Sequence, residues 1–531
     1  MYNKTILMEY TKKTLKNHGL FLGLCVLFLG IGIVLSTTWL RYQLNPDSTA
    51  YFSIAEKYAH FNLRSAINGY WSPLLSWLLV PWVWLDVNLL VASKITATLC
   101  CLVILVGAYR FLLYRKVAKS IALLTSLLLS LFLVDMLSIQ ASSRDLLMAA
   151  VATTFVLHVI RFDDSPSRKK AIWLGLLGAL MFYAKALGFY LFLGVILGLA
   201  FWQWRKSRKN TQLIFHRFAP ALITFFALTL PFIGLISLKY GQPTLSTVGG
   251  FAYSIYSPAS KGGAFPIGAP LMPTNSTAMW YWEDPTDVIE LIPEHDWELH
   301  HNKAYYLKKI VWANASLTVK IVDIYGPIVA FGFLVAILGM LKKGPYRKDY
   351  VVFAGIALVW VAGHMLIMTD SRYLITAGVL PIIPIGLWVE QLRRARVILS
   401  RQIVVGAIII AIVGVMTLVP SLTRLRYDER PYYKVAQAVS GQMPEDSKVI
   451  SEQFNAYYVC YYLRLKCLGV IALQENPADY YRILKNAGVE YYLYGHSQDD
   501  NAKLNEFTET YFVKMSDQEV DGKPVTLYKI K

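Results

Sequence analysis

The side chains able to do chemistry stand out in this chain because most of what surrounds them is apolar. Asp47 follows Asn45-Pro46 and precedes Ser48, Thr49 and Tyr51. A carboxylate there can take a proton as a general base, or cap a helix over 48–60, and the two roles are compatible. Arg144-Asp145 opens an apolar run, where the acid can cap a helix and the guanidinium can pair with it or with a phosphate. Lys185 sits alone between two apolar runs in Tyr183-Ala184-Lys185-Ala186-Leu187-Gly188, placed either to snorkel or to hold an anion. His364 precedes Thr369-Asp370-Ser371-Arg372-Tyr373, where Arg372 can grip a phosphate bidentately or pair with Asp370. Singly each pattern is weak. Together they supply one base and two or three cations, the kit for displacing a phosphate.

Ionisable groups near a bilayer cost several kcal/mol unless paired or hydrated, so what positions them matters. The 531 residues are 56% hydrophobic and 16% charged, with mean hydropathy +0.43. Apolar runs of about 20 residues recur about eleven times, starting near residues 20, 88, 120, 145, 171, 187, 218, 319, 350, 373 and 402. The fold class expected is an all-α polytopic membrane helix bundle with a small C-terminal extracytoplasmic α/β domain. Residues 1–424 form the transmembrane module, with external loops 41–87 and 240–317, and residues 425–531 form the external domain.

The net charge of +18 is carried by clusters between apolar runs: Arg115/Lys116/Lys119, Arg168/Lys169/Lys170, Arg205/Lys206/Arg208/Lys209, Lys342/Lys343/Arg347/Lys348 and Arg393/Arg394/Arg396/Arg401. That pattern places these loops and the N-terminus in the cytoplasm of a multi-pass protein of the plasma (inner) membrane, and argues against nucleic acid as a partner. Asp47, Asp145, Lys185 and Arg372 then share the outer face. Tyr51, Ile54, Ala55, Tyr58 and Ala59 recur at helical spacing and predict an amphipathic helix lying at the interface. In the long loop, Trp280, Trp282 and Glu283 form an aromatic-acidic run that serves as a membrane anchor or a substrate loop. Past residue 425, strands are expected at 448–451, 490–494 and 525–530 and a helix at 479–486. Cys460 and Cys467 lack metal-ligand spacing, and a disulfide between them is open from sequence.

The order of these pieces resembles the GT-C superfamily of lipid-linked-sugar glycosyltransferases, in particular the protein mannosyltransferases and the lipid A aminoarabinose transferase. The resembling stretches are Pro46-Asp47-Ser48-Thr49-Ala50-Tyr51, Ile67-Asn68-Gly69-Tyr70-Trp71-Ser72-Pro73-Leu74, Ser143-Arg144-Asp145-Leu146, Ala184-Lys185-Ala186-Leu187-Gly188 and Ser371-Arg372-Tyr373-Leu374. The resemblance implies that Asp47 is the catalytic carboxylate and Asp145 the second acidic residue. It also implies that Lys185 contacts the donor phosphate and that Arg372 and Tyr373 lie near it, with Arg144 a further candidate. One departure stands out: the aminoarabinose transferase pattern carries an acidic residue and a lysine just before the loop proline, where Trp71-Ser72 precede Pro73 here. A divalent metal ion is therefore left open as a cofactor.

The activity implied is hexosyl or pentosyl transfer from a polyprenyl-phosphate sugar donor to a glycan, lipid or protein acceptor, by direct displacement that inverts the anomeric centre. Membrane lipid is the other partner. A transporter or flippase for lipid-linked sugars is the alternative, but it calls for ionisable or broken-helix features near the bilayer midplane. A scaffold anchored by its spans does not need so many of them.

Overall fold

Apolar runs in hydrocarbon form helices because each backbone N–H and C=O must then be satisfied within its own segment. The computed structural model describes residues 2–140, 144–207, 209–249, 279, 283–284, 303–366, 369–397, 402, 405–406, 412, 414, 429–451, 456–470, 477–495 and 510–531. Among these, eight helices are long and apolar enough to cross a membrane: His18–Thr37, Leu89–Tyr114, Lys119–Ser138, Arg144–Asp164, Leu187–Lys206, Thr211–Tyr240, Arg347–Met365 and Arg372–Arg394. The chain is a multi-pass membrane helix bundle carrying a small C-terminal sheet. The expected eleven spans stand at eight among the described residues. The run near 171 becomes Arg168–Ala184, only 17 residues long, short of the about 20 that span hydrocarbon. The run near 402 falls almost wholly outside the described residues.

The chain divides into two compact units. The first comprises Met1–Arg41, Val91–Pro231 and Lys309–Arg426. Its centre is the helix Arg144–Asp164, buried on nearly every side, which packs on Arg168–Ala184 and Ile375–Arg394. Close approach is needed where Arg168–Ala184 packs on Leu187–Lys206: a Cβ on Gly178 would meet the Phe192 ring at 2.2 Å. Charged pairs gather at the far end of the central helix. Arg115 bridges Asp164 at 2.8 Å and also pairs with Asp349, while Lys348 pairs with Asp163. Asp145 and Asp164 are nineteen positions apart, about 28 Å at the helical rise of ~1.5 Å per residue. That is close to the ~30 Å thickness of a hydrocarbon layer, so one helix carries polar clusters at both of its ends.

The second unit comprises Tyr42–Leu90, Phe232–Lys308 and Tyr427–Lys531. Its first-loop helix, Pro46–Ala59, begins at Asn45, whose side chain accepts from the Asp47 N–H at 2.9 Å. The expected helix is present, but it does not lie with one face in water. Ser48 through Ala55 are all buried, because Leu74–Trp84 and the helix Ala456–Leu463 pack on it. The sheet holds β1 (Lys448–Ser451), β2 (Lys466–Val470), β3 (Tyr491–Gly495), β4 (Phe512–Val520) and β5 (Lys523–Ile530) in the order β2-β1-β3-β5-β4. β1 runs parallel to β2 and β3; β5 is antiparallel to β3 and β4. Asp521-Gly522, at φ 52° and 76°, closes the β4–β5 hairpin, the left-handed pair a tight two-residue turn requires. Tyr480 and Leu484 of the helix Pro477–Asn486 pack into a core with Ile450, Tyr492 and Phe512. Cys460 and Cys467 are disulfide-bonded, tying Ala456–Leu463 to β2.

Candidate functional site

Arg144 and Asp145 occupy the first turn of the central helix, and both are buried. Lys185 reaches them because the chain breaks between Arg168–Ala184 and Leu187–Lys206. Its backbone is extended there, at φ −159° and ψ 130°. The chain turns back so tightly that a Cβ on Gly188 would lie 2.4 Å from the Met181 backbone. The Lys185 ammonium donates to Asp145 Oδ1 at 3.0 Å, with the two side chains 12% and 5% exposed. It also stands 3.7 Å from the centre of the Tyr373 ring, within the range of a cation–π contact. Burial pulls its pKa down to about 8; Asp145 opposes this, while Arg144 and Arg372 push further down. Three cations and two carboxylates, Asp145 and Asp370, thus share one electrostatic neighbourhood, and an added anion would balance the surplus positive charge.

Tyr373 is held by a short 3-10 turn, Ser371–Leu374, whose cap Asp370 accepts from the Arg372 N–H at 3.1 Å. The Arg372 guanidinium lies 3.7 Å from Asp370 and donates to the Tyr373 hydroxyl at 3.3 Å. Trp360 Nε1 donates to the Tyr373 carbonyl at 2.8 Å, and the His364 ring lies 5.5 Å from the Tyr373 ring. His364 Nδ1 meets the Trp360 carbonyl at 3.0 Å, which leaves Nε2 buried with no hydrogen-bond partner among the described residues. Asn314 bridges the segment by donating to the Met365 carbonyl and accepting from the Thr369 N–H. The sequence reading named His364 but missed Trp360 and Asn314. Nothing in a lone Trp or Asn within an apolar run marks it as a support.

In the second unit, Asp47 is the second residue of its helix, half-buried, and Asn45 rather than Asp47 makes the cap. The carboxylate is thereby released from capping. Tyrosines of Ala456–Leu463 tie down the strand of chain that leads into it. The Tyr462 hydroxyl donates to the Tyr42 carbonyl at 3.2 Å; Glu429 accepts from the Leu44 N–H and from the Tyr458 hydroxyl, the latter at 3.1 Å. Tyr457 is buried, and burial raises its phenol pKa with a smaller contribution from Asp47. Glu283 pairs with Lys57, accepts from Ser53 Oγ at 2.7 Å, and its carbonyl accepts from Asn68 at 2.6 Å. Asp284 accepts from Lys239 and Tyr240, both at 2.8 Å. Glu283 is therefore a clasp on the first-loop helix, with its carboxylate committed internally. Trp280 and Trp282 lie outside the described residues.

No protein-family model matches the chain, and no curated protein matches it in sequence. Solved structures do. The archaeal oligosaccharyltransferase AglB from Archaeoglobus fulgidus, in complex with an inhibitory peptide and a dolichol-phosphate, is 12% identical with a TM-score of 0.52, over 91% of this chain and 70% of that one. The apo oligosaccharyltransferase of the same organism is 11% identical with a TM-score of 0.51, over 89% and 69%. The chain shares the overall fold of these oligosaccharyltransferase structures. ArnT from Cupriavidus metallidurans bound to undecaprenyl phosphate is also similar, at 14% identity and a TM-score of 0.44, over 95% and 98%. Within this fold, the Lys185 neighbourhood gathers Arg144, Lys185 and Arg372 around Asp145 and Tyr373, and Asp47 is a carboxylate with its helix cap supplied by another residue. Among the described residues no group of three His, Cys, Asp or Glu side chains could hold a metal ion.

Proposed function

We propose that this protein is a membrane glycosyltransferase that moves a hexosyl or pentosyl unit from a polyprenyl-phosphate donor to an acceptor on the extracytoplasmic face. The observation that carries the reading is the buried Lys185–Asp145 pair with Arg144 and Arg372 beside it. Cations gathered in a dry site and outnumbering the carboxylates beside them form a receptor for phosphate. The shared fold supports the same reading, since a similar structure was solved with a dolichol-phosphate.

The acceptor hydroxyl attacks the anomeric carbon, its proton passes to Asp47, and the bond from that carbon to the phosphate oxygen breaks. The electron pair leaves with the polyprenyl phosphate. Such a leaving group is weakly basic and needs no general acid, so one carboxylate suffices. Lys185, Arg144 and Arg372 stabilise the charge that grows on it, Tyr373 fixes Lys185 and Arg372 in place, and Asp145 holds the Lys185 cation. Direct displacement inverts the anomeric centre.

The test is to supply the purified protein in lipid nanodiscs with polyprenyl-phosphate sugars and an envelope extract as acceptor, and to measure free polyprenyl phosphate. Wild type should release it, and Lys185→Met should not at comparable donor concentration. Movement of intact lipid-linked sugar across vesicles, with no release from any donor, would establish a transporter instead.

A further inference from the structure

The second unit contains a partly open cavity of about 320 Å³ to which no role has yet been assigned. It lies between the first-loop helix and the disulfide-bonded helix Ala456–Leu463. Phe52 and Tyr461, with ring centres 5.6 Å apart, form an aromatic wall. Glu56, Asp86 and Arg464 supply the charge along its lining. Glu56 lies one turn beyond Phe52 on the same helical face, and Arg464 follows directly on the helix that carries Tyr461.

These charged groups are not spent on one another. Glu56 and Arg464 feel each other's charge, yet neither side chain makes a hydrogen bond or a close ion pair with a described residue. Burial, opposed chiefly by Arg464, raises the Glu56 pKa. A half-buried carboxylate and a guanidinium facing one small space, neither of them hydrogen-bonded by its side chain to a described residue, form a network that a ligand can complete. The volume lies at the small end of the ~300–1,000 Å³ typical of ligand cavities, which suits a single ring rather than a polymer chain. Two carboxylates against one guanidinium disfavour phosphate and other anions, and the polar lining disfavours a lipid tail.

We propose that this cavity is a binding site for a neutral sugar residue. Its ring would lie along Phe52 and Tyr461 through its C–H face. Its hydroxyls would donate to Glu56 and Asp86 and accept from Arg464, and vicinal hydroxyls match both the carboxylate and the guanidinium fork. This goes beyond transfer chemistry, because a sugar can bind here without a donor, a phosphate or a turnover. It gives the C-terminal domain a role of its own in recognising a glycan.

The experiment is saturation-transfer NMR on the full chain in nanodiscs, without any lipid-linked donor, using glucose, mannose, galactose, N-acetylglucosamine and glucosamine as probes. At least one neutral sugar should bind saturably, with affinity about tenfold or more weaker in Glu56→Gln and in Arg464→Gln. Arg464 is exposed and Glu56→Gln is isosteric, so both variants should keep the wild-type unfolding midpoint. The proposal is overturned if no neutral sugar saturates, if binding survives both substitutions, or if only the amine glucosamine binds. Because no donor is present, these outcomes are independent of whether the protein transfers sugars.

Discussion

On the proposed function, raising the pH should weaken binding of a lipid phosphate, with Lys185 setting where that happens. Its pKa is drawn from the ordinary 10.5 down to about 8, chiefly by burial. The gap corresponds to a cost on the order of 3 kcal/mol for keeping the site charged. Between pH 7 and pH 9 the free site passes from mostly ammonium to mostly amine, so phosphate affinity that depends on the cation should fall about tenfold. The sign for stability is opposite. With the folded pKa below the unfolded one, the unfolded chain binds more protons between about pH 8 and pH 10.5, so unfolding free energy contributed by this group rises across that window. The assay is equilibrium binding of a polyprenyl phosphate to the protein in nanodiscs from pH 6.5 to pH 9.5. Lys185→Arg, charged throughout, should flatten the decline. Lys185→Met should bind about 10- to 150-fold more weakly at pH 7, the worth of one hydrogen bond to a charged group. Equal decline in wild type and Lys185→Arg, or a Lys185→Met variant that binds like wild type, would refute the reasoning.

Two further predictions concern the second unit. Glu283→Gln strands Lys57 as a buried cation, which should cost about 3–5 kcal/mol and lower the unfolding midpoint; adding Lys57→Met should recover much of the loss, and an unchanged midpoint in the single variant would show that the pair is not structural. Replacing Cys460 and Cys467 by Ser opens a loop with a sequence separation of 7, worth about 2.5 kcal/mol by chain entropy. Proteolysis should then cut the C-terminal domain faster, and equal rates would count against that estimate.

The membrane class was legible in the sequence because hydrophobic runs and clustered cations are local, additive signals. The Lys185 site was legible residue by residue, since Arg144, Asp145, Lys185, Arg372 and Tyr373 each interrupt apolar surroundings. That Lys185 bonds Asp145 across 40 positions was not legible, because pairing is decided by packing of helices and not by spacing. The same holds for Lys57 and Glu283, which are 226 positions apart. Ala456–Leu463 escaped notice because Ala-Tyr-Tyr-Val-Cys-Tyr-Tyr-Leu has no polar face to reveal a helical period. β4 escaped because its residues are almost all exposed and show no alternation. Asp47 was weighed as a helix cap when Asn45 does that work, a distinction of two residues that only backbone geometry decides.

The most direct test of the central claim is sugar transfer by Asp47→Asn against wild type, at matched expression and folding, from a labelled polyprenyl-phosphate sugar pool to acceptors in isolated envelopes. The account predicts that wild type transfers label, and that Asp47→Asn binds the donor normally while losing transfer by about 100-fold or more, the usual worth of a positioned general base. Transfer by Asp47→Asn at the wild-type rate would contradict it.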